Sequence, residues 1–267
     1  MSNTTSPIIR LLYYFYERRL LRHVRERRDG PLPGHVGIIL DGNRRYARQH
    51  GLTDPQEIYR LGAQKLDDVL NWCGELRIPA LTLWLFSTEN LKRSPEEVSG
   101  ILAAIEEKLR MLAQAPQIHR QRVRVQAVGK LELLPDSTIA AIRAAEGATA
   151  MYDTMVLTIA VAYAGREEIA DALRALLQDK TEQGKELQDI IGEISQKEIS
   201  RYLYAADLPD PDLIIRTSGE IRLSGFLLWQ SAYSEFYFSD VYWPAFRKID
   251  FLRAVRAFQQ RQRRFGR

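Results

Sequence analysis

Asp41-Gly42-Asn43-Arg44-Arg45 places a carboxylate, a glycine–asparagine pair and two guanidinium groups directly after an uncharged apolar run at residues 36–40. These types in this order suit a metal-bound polyphosphate. Aspartate holds a hard cation through oxygen, glycine lets the backbone approach a ligand, and arginines present forked donors to phosphate oxygens. Similar polar clusters recur along the chain. Ser87-Thr88-Glu89-Asn90 has Arg93 just beyond it, Gly165-Arg166 stands alone, and Arg216-Thr217-Ser218-Gly219-Glu220 is followed by Arg222 and Ser224. Each also has a plainer explanation as a solvated turn. Ser87 to Asn90 could be the approach to a helix that Ser94-Pro95-Glu96-Glu97 clearly starts, with Ser94 as cap and acids in the first turn. Arg216 is harder to dismiss, because an arginine ending a buried run needs a counter-charge. Glu235, flanked by aromatics in SAYSEFYF, reads first as a carboxylate paired structurally with an arginine or a backbone amide.

The elements that would carry these clusters alternate. Apolar strands are expected at residues 36–40, 81–86, 123–128, 156–163 and 213–215, and helical patterns at 58–76, 95–112, 137–150, 166–177 and 251–264. Such alternation implies βαβ units, an α/β fold and a mostly parallel sheet. Every cluster then falls on the carboxyl edge of the sheet, where open α/β folds bind ligands. Residues 180–197 are polar and read as a mobile connection or a frayed helix. No linker divides the body, so residues 31–267 are expected to form one domain. Residues 1–30 form a separate N-terminal basic amphipathic helix ahead of Pro31-Leu32-Pro33-Gly34.

That N-terminal segment, PIIRLLYYFYERRLLRHVRERR from Pro7 to Arg28, lacks the small-residue cleavage site of a signal peptide. It is expected either to touch an anionic membrane surface or to pack on the body, with packing favoured. No apolar stretch is long enough to span a bilayer. The single cysteine, Cys73, excludes an internal disulfide framework and fits a reducing cytosol. It sits in the apolar pattern of Leu66, Val69, Leu70 and Leu76, as a buried structural thiol would. A chain with four histidines and one cysteine gives a zinc site little support. There is no P-loop, no GxGxxG after a strand, no GxSxG and no aspartate-rich DDxxD pattern around Asp67-Asp68. No nucleic-acid motif accompanies the basic helix, so nucleic acid is not expected as a partner.

HVGIILDGNRRYAR, LTLWLFSTENLKRSPEEV and PDLIIRTSGEIRLSGFLLWQSAYSEFYF closely resemble the cis-prenyltransferases, the undecaprenyl diphosphate synthase or Z-isoprenyl diphosphate synthase family. The resemblance runs from His35 to the C-terminus. It implies a six-stranded, mainly parallel sheet flanked by helices, a homodimer, and Mg²⁺-dependent condensation of isopentenyl diphosphate with an allylic diphosphate, geranyl or farnesyl, to make a cis double bond. Asp41 matches the essential aspartate. Gly42, Asn43, Arg44 and Arg45 match the loop around the allylic diphosphate, and Arg93 a further contact. Ser87 and Asn90, with Thr88 and Glu89 between them, match the reacting-centre segment. Asn90 is a poor base, so an orienting role is expected, with a diphosphate oxygen as proton acceptor. Arg216, Arg222 and Ser224, with Leu223 between the last two, match the isopentenyl diphosphate site, and Glu235 a second metal ligand. Arg264 and Gly266 resemble an RxG motif that reaches the neighbouring subunit.

Three departures stand beside these contacts: Tyr46 and Leu91 replace tryptophans, and Ile221 replaces a common histidine. Arg60 is a further candidate contact in a segment longer than usual. Leu85 matches a position lining the tunnel for the growing tail, where long-chain members commonly carry alanine. Leu81, Leu83 and Leu85 should share one strand face. The expectation is therefore a short product, (Z,E)-farnesyl diphosphate from geranyl diphosphate, with a C50–C55 polyprenyl carrier as the alternative. A non-catalytic partner subunit is disfavoured by retention of Asp41, Arg45, Arg216, Arg222 and Glu235 together, and a simple phosphate-binding module by Ser87 and Asn90. The expected location is cytoplasmic, with contact at the inner membrane face as the additional option.

Overall fold

The computed structural model describes residues 7–261, and side chains from residue 11 onward. Six strands, β1 (His35–Ile39), β2 (Ala80–Ser87), β3 (Val123–Val128), β4 (Met155–Tyr163), β5 (Leu213–Arg216) and β6 (Glu235–Phe238), form one sheet. Its order is β3-β4-β2-β1-β5-β6, and every neighbouring pair is parallel. All residues of β1 and β5 are buried. Strands covered on both faces read as continuous apolar runs, which is why β1, β2, β4 and β5 are visible in the sequence, while the edge strand β3 shows through its alternation, VRVQAV. The edge strand β6 is only half-buried and aromatic, and it escaped that pattern.

Among the described residues, ten helices surround the sheet: α1 (Pro7–Arg25), α2 (Asn43–His50), α3 (Pro55–Leu76), α4 (Pro95–Gln114), α5 (Pro116–Gln121), α6 (Asp136–Thr149), α7 (Gly165–Glu182), α8 (Leu187–Glu193), α9 (Gln196–Ser200) and α10 (Lys248–Gln260). The larger core lies between α3, α4, α6 and α10 and one sheet face, with Leu70, Leu81, Leu83, Leu109 and Phe251 fully buried. Cys73 lies inside it, and burial pushes its thiol pKa up. A smaller aromatic cluster on the other face includes Ile39, Trp84, Tyr163 and Phe226.

Two short helices, α8 and α9, stand where a mobile or frayed segment was expected. Lys180 ties them to α7 through Glu193 and Glu198, at 3.1 and 3.4 Å. Helices α2 and α5 were also not anticipated. α2 is short and strongly polar, so it buries only Ala47 and shows almost no apolar period. The C-terminal half of α1 packs on α10. Leu20 and Val24 are buried there, and Gln259 Nε2 donates to the carbonyls of Val24 and Gly30 at 3.1 and 2.9 Å.

Two compensating irregularities shape the carboxyl edge. Trp84 pairs with Ala160 and Phe86 with Val161, so Leu85 is an extra residue on β2, and Ser87 then pairs with Tyr163, which leaves Ala162 extra on β4. The β2 bulge interrupts alternation. Leu81 and Leu83 lie in the larger core as expected and Leu85 packs against it, but Phe86 joins the same core. Bulges re-aim side chains at the ends of strands, and this one lies immediately before Ser87.

Candidate active site

The carboxyl edge of the sheet opens into a cleft of about 1340 Å³. That exceeds the volume of roughly 300–1,000 Å³ usual for one small-molecule site, and it leaves room for two substrates. Asp41 stands at the end of β1. Its Oδ2 accepts from Arg216 Nη2 at 2.7 Å, and its Oδ1 from Arg45 Nη2 at 3.3 Å. Burial opposes its charge, but the hydrogen bond and charge of Arg216, with the charge of Arg45, outweigh burial and hold the carboxyl below its usual range. The Thr217 hydroxyl lies 2.9 Å from the Asp41 amide and 2.6 Å from its carbonyl, fixing the end of β1 against the end of β5.

Arg216 is 5% exposed. Its Nη1 donates to the Arg222 carbonyl at 2.5 Å and to Ser224 Oγ at 2.7 Å, while Nε has no hydrogen-bond partner. Arg45 donates to Ser218 Oγ at 2.6 Å and Glu220 at 3.0 Å, and its guanidinium lies 5.7 Å from the Tyr242 ring. Glu220 also accepts from Arg222. On the other wall, Arg93 Nη1 donates to Glu97 at 2.8 Å and to the Tyr59 hydroxyl at 3.1 Å. The Tyr59 hydroxyl donates to Glu97 at 2.7 Å, and Arg44 lies 3.8 Å from the same carboxylate. The guanidinium groups thus form two sets, each aligned by internal acids.

Backbone conformation matters most at Gly42, which turns the chain from β1 into α2 with φ 104°. A Cβ there would lie 2.7 Å from Tyr242 and 3.0 Å from Ser218. Gly165 meets a different constraint. Its amide donates to the Gly225 carbonyl at 2.9 Å, and a Cβ would sit 2.5 Å from that oxygen. The start of α7 is thereby seated against the Ser224–Gly225 turn.

Ser87 caps a 3₁₀ turn, Thr88–Lys92. Asn90 N donates to Ser87 Oγ at 3.2 Å, and Ser87 N donates to Asn90 Oδ1 at 3.0 Å. The carboxamide oxygen of Asn90 is therefore engaged, leaving its NH₂ as the group free to face a ligand. Thr88 Oγ1 donates to Glu167 at 3.2 Å, which links this turn to α7, and the second carboxylate oxygen of Glu167 is buried without a hydrogen-bond partner.

The structure gathers Asp41, Gly42, Asn43, Arg44 and Arg45 with Leu85 and Ser87 to Asn90 around this cleft. Arg93, Arg216, Arg222 and Ser224 complete the set. Three expected residues lie elsewhere. Tyr46 points away and stacks on His50, with ring centroids 3.9 Å apart. Leu223 packs into the smaller core. Glu235 opens β6 beside Leu213, whereas Phe238 is the residue level with Arg216. Because β6 runs parallel, Glu235 stands at the amino edge, and its Oε2 accepts from Arg261 at 2.8 Å. The second metal ligand implied by resemblance is not brought to Asp41 within the chain. Among the described residues no group of three or more His, Cys, Asp or Glu side chains is arranged to hold a metal. Arg264 and Gly266 lie outside the described residues.

Arg60 is exposed and off the cleft; its neighbour Tyr59 lines it instead. Tyr59, Trp84 and Glu167 are cleft residues that sequence reasoning missed. No sequence signal separated Tyr59 from Arg60: Tyr59 shares the helix face of Gly62, whose carbonyl accepts from the buried Trp243 indole, a contact made only in the tertiary structure.

A family model of undecaprenyl diphosphate synthases matches residues 39–266. The chain is 54% identical to a tritrans,polycis-undecaprenyl-diphosphate synthase (geranylgeranyl-diphosphate specific) of Methanopyrus kandleri, over 96% of this chain and 92% of that one. It is 49% identical to a (2Z,6E)-farnesyl diphosphate synthase of Thermobifida fusca, over 96% and 97% of the two chains. Among solved structures, the lavandulyl diphosphate synthase from Lavandula x intermedia in complex with dimethylallyl diphosphate superposes with a TM-score of 0.80. The two share 34% identity over 88% of this chain and 99% of that one.

Proposed function

The chain belongs to the undecaprenyl diphosphate synthase family and is a cis-prenyltransferase, and from that premise we propose that it makes a short product, (Z,E)-farnesyl diphosphate from geranyl and isopentenyl diphosphates. The observation that carries this reading is Leu85, which lines the cleft wall alongside Ile101 and Leu133. A leucine there narrows the apolar end of the cleft, and packed walls yield little to extra volume. Leu85→Ala is expected to lengthen the product, read by chromatography of labelled prenyl chains. A wild-type product of C50 or longer would refute the steric argument.

In the proposed cycle the allylic diphosphate lies by Arg44, Arg45 and Arg93, and isopentenyl diphosphate by Arg216, Arg222 and Ser224. Asp41 is the residue that would hold Mg²⁺. The donor set fits, because Mg²⁺ commonly uses one or two carboxylates with substrate phosphates and water rather than a full protein cage. When bound, the ion would supply neutralising charge to the departing diphosphate. Arg216 and Arg45, bonded to Asp41 in the protein alone, carry further donors that suit phosphate oxygens, so ion pairs within the protein can be exchanged for ion pairs with substrate. Arginine donors stabilise the leaving diphosphate as the allylic carbocation forms. The double bond of isopentenyl diphosphate attacks that cation and a proton is lost. Asn90 orients substrate through its NH₂, since its oxygen is committed to Ser87, and a diphosphate oxygen takes the proton. The family resemblance supports a homodimer, as do the exposed Leu173, Leu187 and Ile191 on α7 and α8; light scattering tests this.

A further inference from the structure

Six consecutive side chains of α1, Leu11, Leu12, Tyr13, Tyr14, Phe15 and Tyr16, are between 44% and 63% exposed. At 3.6 residues per turn, six residues sweep the whole circumference. This half of the helix is therefore open to solvent around its whole circumference, with Tyr13 and Tyr16 also touching Arg247 and Arg253, unlike the half that packs through Leu20 and Val24. A helix that is apolar all round is ordinarily buried in something.

The chemistry changes along the axis rather than across it. Beyond Glu17 come exposed Arg18, Arg19, Arg22 and Arg25, to which exposed Arg247, just before α10, and Arg253, within it, are added. The rings touch this collar. Arg18 lies 4.8 Å from the Tyr14 ring, and Arg247 and Arg253 each lie 5.7 Å from Tyr13 and Tyr16 respectively. Two nearby acids, Asp250 and Asp29, are already engaged. Asp250 faces Arg247 and Arg253 at 3.0 and 3.7 Å, and Asp29 faces His23 and Arg256 at 2.7 and 3.0 Å. Four of the five arginines of α1, Arg18, Arg19, Arg22 and Arg25, therefore outweigh Glu17 and keep a net positive charge at the base of the aromatic tip.

We propose that this tip docks on an anionic lipid bilayer, with the aromatic and leucine side chains in the headgroup–acyl boundary and the arginine collar at the phosphates. Residues 11–16 rise about 9 Å along the axis, comparable to the roughly 5–10 Å to which interfacial helices bury their apolar surface. Tyrosine suits that depth because its ring is apolar and its hydroxyl stays wet. A second copy of the chain fits less well, since pairing two tips would bring two arginine collars together at like charge. An anionic bilayer satisfies both halves of the motif at once.

The test is co-sedimentation of the full chain with vesicles of phosphatidylcholine alone or mixed with an equal part of phosphatidylglycerol. Wild type should partition onto the mixed vesicles, less onto the neutral ones, and less as salt is raised. Leu12→Asp/Phe15→Asp and, separately, Arg18→Glu/Arg19→Glu should each weaken that binding by about tenfold or more. Turnover of geranyl diphosphate, circular dichroism and the mass by light scattering should stay at wild-type values. Binding indifferent to anionic lipid, or variants that bind as wild type, would overturn the proposal. So would a change of oligomeric state in either variant, which would make the tip a subunit contact.

Discussion

Strands β1 and β5 carry ionisable groups at both ends, and the two ends treat them differently. At the amino edge, Asp212 Oδ2 accepts from the amides of Gly34 and His35 at 2.5 and 3.1 Å. His35 is 3% exposed, with Nδ1 2.7 Å from the Pro209 carbonyl and Nε2 2.8 Å from Thr82 Oγ1. Its neutral form, donating from Nδ1 and accepting at Nε2, satisfies both. These groups bind backbone and seal a packed end. At the carboxyl edge, Asp41 binds the guanidinium groups of Arg216 and Arg45 in an open cleft, and Arg216 Nε and one Glu167 oxygen have no hydrogen-bond partner. Similar residue types therefore do different work. Polar groups bonded to backbone are committed to the fold, whereas charged side chains bonded to each other within a cleft can exchange partners with a ligand.

Substitutions at the two edges should separate stability from turnover. The largest effect is expected at Asp41. Asp41→Ala should lower kcat by about 10³-fold or more, while circular dichroism retains the folded spectrum, because Arg216 keeps its bonds to the Arg222 carbonyl and Ser224. Near-normal turnover would break the comparison at its catalytic end. Asp212→Ala should act conversely. Loss of two backbone partners should cost about 2 kcal/mol, lowering Tm by about 4–8 °C with kcat per folded molecule unchanged. An Asp212→Ala enzyme with wild-type Tm and lost turnover would move the active end of the sheet.

Arg222→Ala should raise the apparent KM for isopentenyl diphosphate by about tenfold, the loss of one exposed charge-assisted contact. The allylic KM should change less, and the reverse order would exchange the two diphosphate pockets. The smallest effect concerns pH. Burial holds the His35 pKa below its usual value, against the opposing influence of the Pro209 carbonyl and Asp212. Below about pH 6.5 the unfolded chain binds the proton more readily than the folded one, so stability falls as pH drops through that window. His35→Gln should flatten the decline of Tm with falling pH there, and an unchanged slope would assign the decline to other groups.

Much of this architecture was legible in the residues. The buried strands read as apolar runs because both faces of a parallel sheet are covered, and Ser94-Pro95 and the long apolar periods marked α4 and α3. The clustering of Asp41, Ser87 and Arg216 followed from strand ends sharing one edge, and the three long motifs identified the family. Strand β6 was supplied by resemblance alone, since a half-buried aromatic edge has neither continuous nor alternating polarity.

What the sequence determined by itself was therefore the order of elements, the identity of the polar groups and the edge on which most of them meet, because these depend on local pattern and the direction of the strands. Tertiary structure decided which side chains on that edge touch. It sent Tyr46 to His50 and Leu223 into the core, chose Tyr59 over Arg60, and used the bulge to bring Phe86 into the same core as Leu81 and Leu83. It also separated Glu235 from Asp41, since register between strands distant in sequence places a residue at one edge of a sheet or the other. That register is fixed by packing among β1, β5 and β6 together, which no local pattern contains.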